Sequence, residues 1–331
     1  MNGTQLIEDF LCSEQIAFEK NVDLKTKTWI KRGGISHIWV QPISLSDFEI
    51  LVTWCQLKKV RFEVIGNTSN CYFLNDYNPF LVISTLRLNS IKVLKNCITC
   101  DCGYHMARLA KYCVSHGIAG FEGFTGLPGT VGGAAINNSG CYGSLISEVV
   151  QSVSVIIDGE KRILTHEQLS YRHRNSALKS KEINGVVASV SFRIRYNEDA
   201  ILLEERSREF QFHRKVFQEH IYPNLGTIFS ILEFKKLPFL LRCINFCFYR
   251  ILKYSVKDPL KHQKLNTKLL LNLRCAGKFR NYISEYGVQC FIWKDANADR
   301  AFEKYVEFIK RNTVKYVYEI DIKGDRAYEF F

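Results

Sequence analysis

A glycine-rich segment at residues 117–143 constrains this chain more than any other part of its sequence. Nine of these 27 residues are glycine, and aromatic, polar and proline residues are interleaved between them, so the segment is not low-complexity sequence. Glycine permits positive φ and leaves no side chain between the backbone and a ligand. The part at 125–133 therefore indicates a loop that can direct several backbone N–H groups at one anion.

A second loop of similar character lies earlier in the chain. A predicted strand at 61–65 leads directly into Gly66-Asn67-Thr68-Ser69-Asn70, whose hydroxyl and amide groups can add side-chain donors. A pyrophosphate has enough oxygens to bind both loops at once. Neither loop fits the GxGxxG or the GxxxxGK(S/T) pattern, which disfavours a Rossmann site and an ATP P-loop. Each loop alone would more often be a structural turn, but together they predict phosphate binding.

Composition narrows the class of protein. With 331 residues, 47% of them hydrophobic, the chain can form one large domain or two to three modest ones. Its net charge of +12 comes with short, dispersed basic clusters such as Lys58-Lys59 and Lys235-Lys236. Nucleic-acid binding would need a concentrated basic patch or a known module, so it is disfavoured. A positive field also suits an anionic cofactor and an anionic substrate.

The cysteines indicate reduced thiols in a cytoplasmic protein. Twelve are scattered along the chain, and the first ten residues lack the basic start and apolar run of a signal peptide. Cys97 and Cys100 form a CxxC pair followed by Cys102, but Cys243 and Cys247 are poorly spaced to complete a zinc site. We favour a strand that buries small apolar side chains here, and we expect no metal.

No stretch reaches the about 18–20 apolar residues that a membrane span needs. The nearest is the segment 238–252, where Arg242 and Arg250 interrupt the apolar residues. This segment could be a buried helix, a partner-binding helix or an interfacial helix. A core or partner role is the default, and a peripheral or protein contact through 238–252 stays open.

Hydrophobic periodicity predicts the main helices and strands. Ser46 and Glu49 fit a capping box at the start of one helix, and a second helix that begins near Met106 ends before Gly117. A C-terminal helix follows Asn297, its expected N-cap, and its expected apolar stripe is Ala298, Ala301, Phe302, Tyr305, Val306 and Ile309. Strands are expected at 61–65, 80–83, 91–102, 149–157, 185–194 and 314–322, and a helical insertion at 232–285.

Three segments resemble one known family. Residues 120–143 resemble the central FAD-binding stretch of the UDP-N-acetylenolpyruvoylglucosamine reductases, residues 64–70 are similar to that family's first pyrophosphate loop, and residues 28–34 resemble the segment that opens its FAD domain. The resemblance implies an α+β fold. It places a two-lobed FAD-binding domain of the vanillyl-alcohol-oxidase/PCMH type at 1–195, with lobes at 1–86 and 87–195, and an α+β substrate-binding domain at 196–331.

The resemblance also implies the cofactors and the residues that bind them. FAD is expected to bind non-covalently, because no histidine lies in the first loop to attach it, with NADPH as co-substrate and a nucleotide sugar as substrate. The residues expected to bind FAD in the first loop are Gly66, Asn67, Thr68, Ser69 and Asn70. Those expected in and after the second loop are Thr125, Gly126, Pro128, Gly129, Thr130, Gly132, Gly133, Asn138, Tyr142 and Gly143.

Three catalytic residues follow from the same resemblance. The family's Tyr-Arg-x-Ser motif matches residues 171–176 and gives Arg174 as the arginine that acts on the substrate enol, with Arg172 as the alternative. An arginine suits this role because it stays charged and pairs bidentately with a carboxylate. Thr227 takes the place of the family's proton-donating serine. Asp321 takes that of its last catalytic glutamate, with Glu319 expected on the same face of one strand.

The sequence departs from the family at the substrate side. Threonine replaces serine at Thr227, aspartate replaces glutamate at Asp321, and Ser230-Ile231-Leu232 stands where the family has Lys-Asn-Pro. Three functions therefore remain open. They are the family's reduction of UDP-N-acetylglucosamine enolpyruvate to UDP-N-acetylmuramate in peptidoglycan precursor synthesis, a related flavin-dependent reaction on another nucleotide sugar in surface-polysaccharide synthesis, and a catalytically degenerate FAD-binding module.

Overall fold

A computed structural model describes residues 3–195, 199–236, 238–273, 277–325 and 327. It divides into two compact units. Unit 1 comprises Met1–Thr28, Gly33–Thr68 and Asp76–Gln211, and unit 2 comprises Trp29–Arg32, Ser69–Asn75 and Phe212–Phe331. Both units contain helices and strands. The functional boundary expected after residue 195 stays a prediction.

The elements of both units are numbered in chain order. The helices are α1 (Gly3–Ser13), α2 (Leu45–Leu57), α3 (Met106–Ser115), α4 (Val131–Asn137), α5 (Ile146–Val149), α6 (Ala200–Phe217), α7 (Phe239–Ser255), α8 (Pro259–Leu273) and α9 (Ala298–Asn312). The strands are β1 (Phe18–Asp23), β2 (Ile35–Val40), β3 (Glu63–Ile65), β4 (Cys71–Phe73), β5 (Leu81–Ser84), β6 (Ile91–Val93), β7 (Cys97–Asp101), β8 (Gly140–Cys141), β9 (Ser144–Leu145), β10 (Val150–Ile157), β11 (Glu160–Thr165), β12 (Val186–Arg193), β13 (Phe229–Phe234), β14 (Thr313–Tyr318) and β15 (Asp321–Lys323).

The first sheet of unit 1 has the order β1-β2-β5-β3. Strands β2, β5 and β3 are parallel to one another, and β1 is antiparallel to β2. Helix α2 buries Phe48, Leu51, Val52 and Cys55, the apolar stripe that the helical spacing predicts. Strand β3 is at one edge of this sheet and leads directly into the first glycine loop. The packed sheet therefore fixes the position at which that loop begins.

The expected capping box of α2 is wrong. Ser44, and not Ser46, is the N-cap, and its hydroxyl accepts a hydrogen bond from the backbone N–H of Asp47 at 3.1 Å. Both serines are followed three residues later by an acidic residue, so the sequence pattern fits either one. The helix begins two residues earlier than expected because Ser44 has the extended backbone that an N-cap needs.

The second sheet of unit 1 is antiparallel, with the order β11-β10-β12-β7-β6. Ile98, Cys100 and Cys102 are buried as the alternating pattern predicts. The single strand expected at 91–102 is wrong, because the chain turns between β6 and β7 with a hydrogen bond from Leu94 N to Cys97 O at 2.9 Å. Neither sheet is a doubly wound parallel sheet.

Unit 2 contains two strand pairs and the aromatic packing around α9. Strands β13 and β14 are antiparallel, and β15 is parallel to β4. Helix α9 buries the predicted apolar stripe, including Phe302 and Tyr305, whose rings pack against Phe291. Asn297 occupies the N-cap position without a side-chain capping bond. Helices α7 and α8 occupy much of the expected helical insertion.

The single strand expected at 314–322 is wrong. Strand β14 ends at Tyr318, and β15 begins at Asp321 with a different partner strand. The backbone N–H of Glu319 donates to Ile228 O, whereas that of Asp321 donates to Asn70 O. Glu319 and Asp321 are therefore not neighbours on one face of a continuous strand.

The part of the chain that the structure describes contains neither a candidate membrane span nor a candidate metal cluster. Among these residues, no helix is long and apolar enough to cross a membrane. The same residues contain no group of three or more His, Cys, Asp or Glu side chains that could hold a metal ion.

The position of the α2 cap gives a test of the fold. Ser44→Ala should lower the free energy of unfolding by about 1 kcal/mol, because it removes the side-chain acceptor of the first helical turn. Ser46→Ala is the matched control, since Ser46 is exposed within the helix, and its effect should be within about 0.5 kcal/mol of zero. Urea unfolding measures both. A larger loss for Ser46→Ala would restore the capping box that the sequence pattern favours.

Candidate active site

The two glycine loops meet in unit 1. A Cβ atom added at Gly66 would lie 2.5 Å from Oγ1 and 3.0 Å from Cγ2 of Thr130. Real side chains do not approach so closely, so glycine is required at this position by the neighbouring loop and not by its own φ. The backbone of the first loop therefore lies directly against the side chain that begins α4.

Thr130 organises the second loop. It is the N-cap of α4, and its Oγ1 accepts a hydrogen bond from the N–H of Gly133 at 3.4 Å. The next two backbone N–H groups bind elsewhere in unit 1, that of Val131 to Tyr104 O and that of Gly132 to Cys102 O, both at 2.8 Å. Gly132 therefore packs the start of α4 against the end of β7, where an added Cβ would lie 2.8 Å from the Cβ of Cys102.

Helix α6 braces the second loop. The hydroxyl of Ser207 lies 2.8 Å from that of Thr125, both buried, and Gln211 Nε2 donates to Ser207 Oγ at 3.3 Å. The buried carboxylate of Glu122 accepts from Gly120 N at 2.7 Å and lies 3.5 Å from the guanidinium of Arg206. We did not predict Glu122, Arg206 or Ser207. Only Glu122 could have been identified from the sequence, because it is an acidic residue within a glycine-rich segment.

Asn138 and Tyr142 are held by protein contacts. Asn138 is buried with left-handed backbone (φ 43°), and its amide donates to Arg172 O at 2.9 Å and accepts from Ser147 N at 3.0 Å. The ring of Tyr142 stacks on Phe210 of α6, with centroids 5.2 Å apart. Both residues therefore fix the segment that follows α4, whatever further contact they make with a cofactor.

Most of the remaining predicted residues are partly or fully exposed. Thr68 is buried with φ of 52°, and an added Cβ at Gly143 would meet nothing within 4 Å. Backbone that is exposed and free of side chains is what a pyrophosphate needs to approach N–H groups closely. The loops thus fit the expected cofactor. Gly126, Pro128 and Gly143 are exposed, and Asn67, Ser69, Gly129 and Gly133 are half-buried.

The two candidate arginines have different surroundings in unit 1. Residues 172–175 form a tight turn in which Arg172 and Asn175 exchange backbone hydrogen bonds. Arg172 is exposed, and its guanidinium lies 3.3 Å from the carboxylate of Glu182. Arg174 has φ of 52°, and its Nη1 lies so near Gly140 that an added Cβ there would be 3.1 Å away. The turn therefore directs Arg174 towards the glycine-rich segment.

Three predicted residues come together in unit 2. Asn70, the last residue of the first loop, accepts a hydrogen bond from Asp321 N at 2.9 Å, and its side chain donates to Glu319 O at 3.0 Å. Glu319 N donates to Ile228 O at 2.8 Å, which holds the exposed Thr227 beside the same cluster. Arg174 belongs to unit 1, so its expected convergence with Thr227 and Asp321 stays a prediction.

A partly buried polar cluster in unit 2 was not predicted. The carboxylate of Asp299, at the start of α9, lies 3.0 Å from Arg32 Nε and accepts from Tyr72 Oη at 3.0 Å and Asn75 Nδ2 at 2.6 Å. Burial, reinforced by Asp299, raises the pKa of Tyr72. The cluster ties the two early segments of unit 2 to α9. Its partners are separated by up to 267 residues, so no local pattern could reveal it.

Comparison with known proteins identifies the family. The FAD binding domain family matches residues 37–165. A UDP-N-acetylenolpyruvoylglucosamine reductase of Caldicellulosiruptor bescii is 29% identical over 67% of this chain and 71% of its own length. The reductase of Thermosipho melanesiensis is 31% identical over 63% of this chain and 70% of its own length. The chain belongs to the UDP-N-acetylenolpyruvoylglucosamine reductase family. The predicted family resemblance is thereby confirmed.

Membership of the reductase family agrees with the fold. The crystal structure of the UDP-N-acetylenolpyruvylglucosamine reductase from Thermus caldophilus matches 93% of this chain and 99% of its own, with a TM-score of 0.65 at 19% identity. This likeness confirms the expected α+β class. The matched domain makes FAD the cofactor of this reductase family member, as the family resemblance implies.

The contact between the loops gives a test of the cofactor site. Gly66→Ala should weaken FAD binding, because the new Cβ would collide with Thr130 and separate the loops. Overpacking of this kind costs about 1–3 kcal/mol, so the Kd for FAD should rise roughly tenfold to hundredfold. Absorbance of bound flavin and titration of the flavin-free protein measure the change.

Gly287→Ala is the matched control, because its added Cβ would have no heavy atom within 4 Å. Gly66→Ala combined with Thr130→Ala should regain part of the affinity, since the second change removes the atoms that collide. Equal FAD affinity in the Gly66→Ala and Gly287→Ala variants would contradict a cofactor site built on the loop contact.

Proposed function

We propose that this chain is an FAD-dependent, NADPH-using reductase that converts UDP-N-acetylglucosamine enolpyruvate to UDP-N-acetylmuramate in peptidoglycan precursor synthesis in the cytoplasm. Family membership supports the reaction class. The observation that carries the assignment to this chain is the unit 2 cluster, in which the end of the first glycine loop, the proposed proton donor and the proposed carboxylate are neighbours.

The two glycine loops would hold the pyrophosphate of non-covalently bound FAD. Bound FAD supplies the hydride transfer from NADPH to the β-carbon of the enolpyruvyl group. Backbone N–H groups of glycine loops can bind anionic oxygens without intervening side chains. Helix α6, through Ser207 and Arg206, keeps the second loop in place, so we extend the proposed FAD-binding part of the chain, 1–195, to include this helix. The nucleotide sugar would then bind to the C-terminal part.

Arg174 would stabilise negative charge on the substrate. As the β-carbon is reduced, negative charge develops at the neighbouring carbon and its carboxylate, and a fixed guanidinium stabilises such charge without reorganising. A carboxylate also matches the bidentate geometry of arginine. The position of Arg174 near Gly140, against the exposed pairing of Arg172 with Glu182, supports Arg174 for this role.

Thr227 would donate the proton that completes the reduction. Its hydroxyl follows Gly226, whose φ of 70° forms the turn that exposes it. The carboxylate oxygens of Asp321 would orient the enolpyruvyl group while it is reduced. Asn70 O accepts a hydrogen bond from Asp321 N, so the last residue of the first loop is held beside the backbone of Asp321.

A second nucleotide sugar is the alternative substrate. The observation that favours it is Ser230-Ile231-Leu232, where the family has Lys-Asn-Pro. These residues lie in β13, and Ser230 Oγ donates to Val317 O at 3.4 Å, so this serine serves the strand pair. A substrate contact supplied by that lysine in the family would be missing here.

Anaerobic half-reactions test the proposed reaction. The protein is reduced with NADPH, and UDP-N-acetylglucosamine enolpyruvate is then added while flavin absorbance is followed. Rapid reoxidation is expected with this substrate and none with UDP-N-acetylglucosamine, which lacks the enolpyruvyl group. Thr227→Val should slow reoxidation roughly 100-fold and leave reduction by NADPH nearly unchanged, because it removes only the positioned proton donor.

Each contrary result has a distinct meaning. Reoxidation by a different nucleotide sugar alone would favour the alternative substrate. Failure of every nucleotide sugar, with a silent Thr227→Val, would leave an FAD-binding module without the chemistry. Thr227→Ser is the conservative control and should retain most of the rate, because it keeps the hydroxyl.

The assignment of the arginine has its own test. Arg174→Lys should slow the substrate half-reaction by roughly tenfold or more, because an ammonium cannot reproduce the guanidinium fork. Arg172→Lys is the matched control two residues away, and it should change the rate less than about twofold, in keeping with a weak surface ion pair. Stopped-flow absorbance measures both. The opposite ranking would assign the catalytic role to Arg172.

A further inference from the structure

The net positive charge of this chain comes almost entirely from one segment. Of its 45 lysines and arginines, twelve lie at 234–284, and of its 33 acidic residues only Asp258 does, so this segment carries +11 of the net +12. The other 280 residues hold 33 basic and 32 acidic residues and are almost neutral. The basic residues themselves are dispersed along the chain, as expected, but the net charge comes almost entirely from this one segment.

Helix α7, within this segment, exposes an apolar face along its length. Residues of this face recur every three or four positions, as neighbours on one side of a helix do. Leu240, Phe248 and Ile251 are 70%, 48% and 57% exposed. The apolar face of α7 is defined by Leu240, Ile244, Cys247, Phe248, Ile251 and Tyr254.

Helix α8 packs on a different side of α7. The ring of Tyr249 meets that of His262 edge to face, with centroids 5.9 Å apart, and the apolar face remains exposed beside this contact. Arg250 and Lys253 are exposed on the side of the helix away from the apolar face, next to the exposed Phe246, over whose ring the Arg250 guanidinium lies. Lys236 and Lys257 are exposed beyond its two ends. Cations thus flank the apolar face at both ends and behind it.

We propose that α7 docks this protein on the surface of an anionic lipid bilayer, with the apolar face of α7 at the boundary between headgroups and acyl chains. Aliphatic and aromatic residues on one side of a helix, with cations and without acids on the other, are typical of interfacial helices. A helix is about 10 Å across. Cations on its far side therefore remain within about one Debye length of the headgroup plane and are attracted to it.

Charge favours a bilayer over a protein groove as the occupant. A groove contacts the buried side of a helix and its edges, so cations behind the helix and beyond its ends would contribute little. A charged plane attracts all of them, and each cation near it strengthens binding about fivefold. The proposal is independent of the reductase function, because it uses no residue of the glycine loops or of the proposed catalytic set.

Vesicle co-sedimentation of the full chain tests the proposal. Vesicles of phosphatidylcholine with phosphatidylglycerol, in a ratio of seven to three, are compared with vesicles of phosphatidylcholine alone. The protein should pellet with the anionic vesicles, and binding should fall by roughly tenfold or more from low to high salt. Phe248→Glu with Ile251→Glu should abolish pelleting. Arg250→Gln with Lys253→Gln should weaken it by roughly tenfold or more.

Ile163→Glu is the matched control, because Ile163 is 71% exposed on β11, outside the basic segment. It should leave vesicle binding unchanged. Circular dichroism and thermal unfolding establish that each variant is folded, so a loss of binding reports the surface. FAD content is measured separately and should be the same in all variants.

Three outcomes would overturn the proposal. The first is no pelleting with anionic vesicles. The second is equal pelleting with neutral vesicles, or equal loss in the Ile163→Glu control. The third is evidence that the apolar face of α7 binds something other than a bilayer. Such evidence would be a dimer in sedimentation velocity, or binding to polyglutamate without binding to vesicles. In either case the association would be lost in Phe248→Glu with Ile251→Glu.

Discussion

Two glycines of unit 1 lie where no larger residue would fit, and the geometry of the proposed cofactor site depends on the contact at one of them, Gly66. Gly66 lies against the side chain of Thr130, and Gly123 lies so near Cys141 that an added Cβ would be 2.0 Å from its carbonyl oxygen. Each contact brings together two loops or turns that are separate in the sequence. The absence of a side chain at Gly66 lets the first loop lie against Thr130 at the start of α4, so both loops can face one ligand.

Unit 2 is held by a different kind of interaction. Asp299 accepts hydrogen bonds from Tyr72 and Asn75 and pairs with Arg32, so a partly buried carboxylate gathers short segments from the first quarter of the chain around α9. A carboxylate removed from water is stable only when such partners replace its hydration. This network explains why Ser69–Asn75 belongs to unit 2, and why Asn70 is fixed beside Asp321.

The chain combines a family scaffold with a segment of different composition. The parts that resemble the reductase family are nearly balanced in charge, whereas the segment at 234–284 is strongly basic and exposes apolar side chains on α7. A protein core requires apolar residues but not an excess of cations, so folding alone does not account for this composition. The segment therefore has properties of a surface that meets something outside the chain.

The amino-acid sequence by itself determined the features that depend on local spacing. The helical repeat predicted the buried stripe of α9, the alternation of Ile98, Cys100 and Cys102 predicted a buried strand face, and the glycine loops indicated an anionic cofactor. Only the tertiary structure decided at which residues these helices and strands begin and end. Ser44 and Ser46 fit the same cap motif. The strand expected at 314–322 divides because Asp321 N binds Asn70 O and β15 pairs with β4, which are remote in sequence. A hydrogen-bond partner supplied by a distant segment leaves no trace in local spacing, so strand ends and the Asp299 cluster emerge only when the chain is folded.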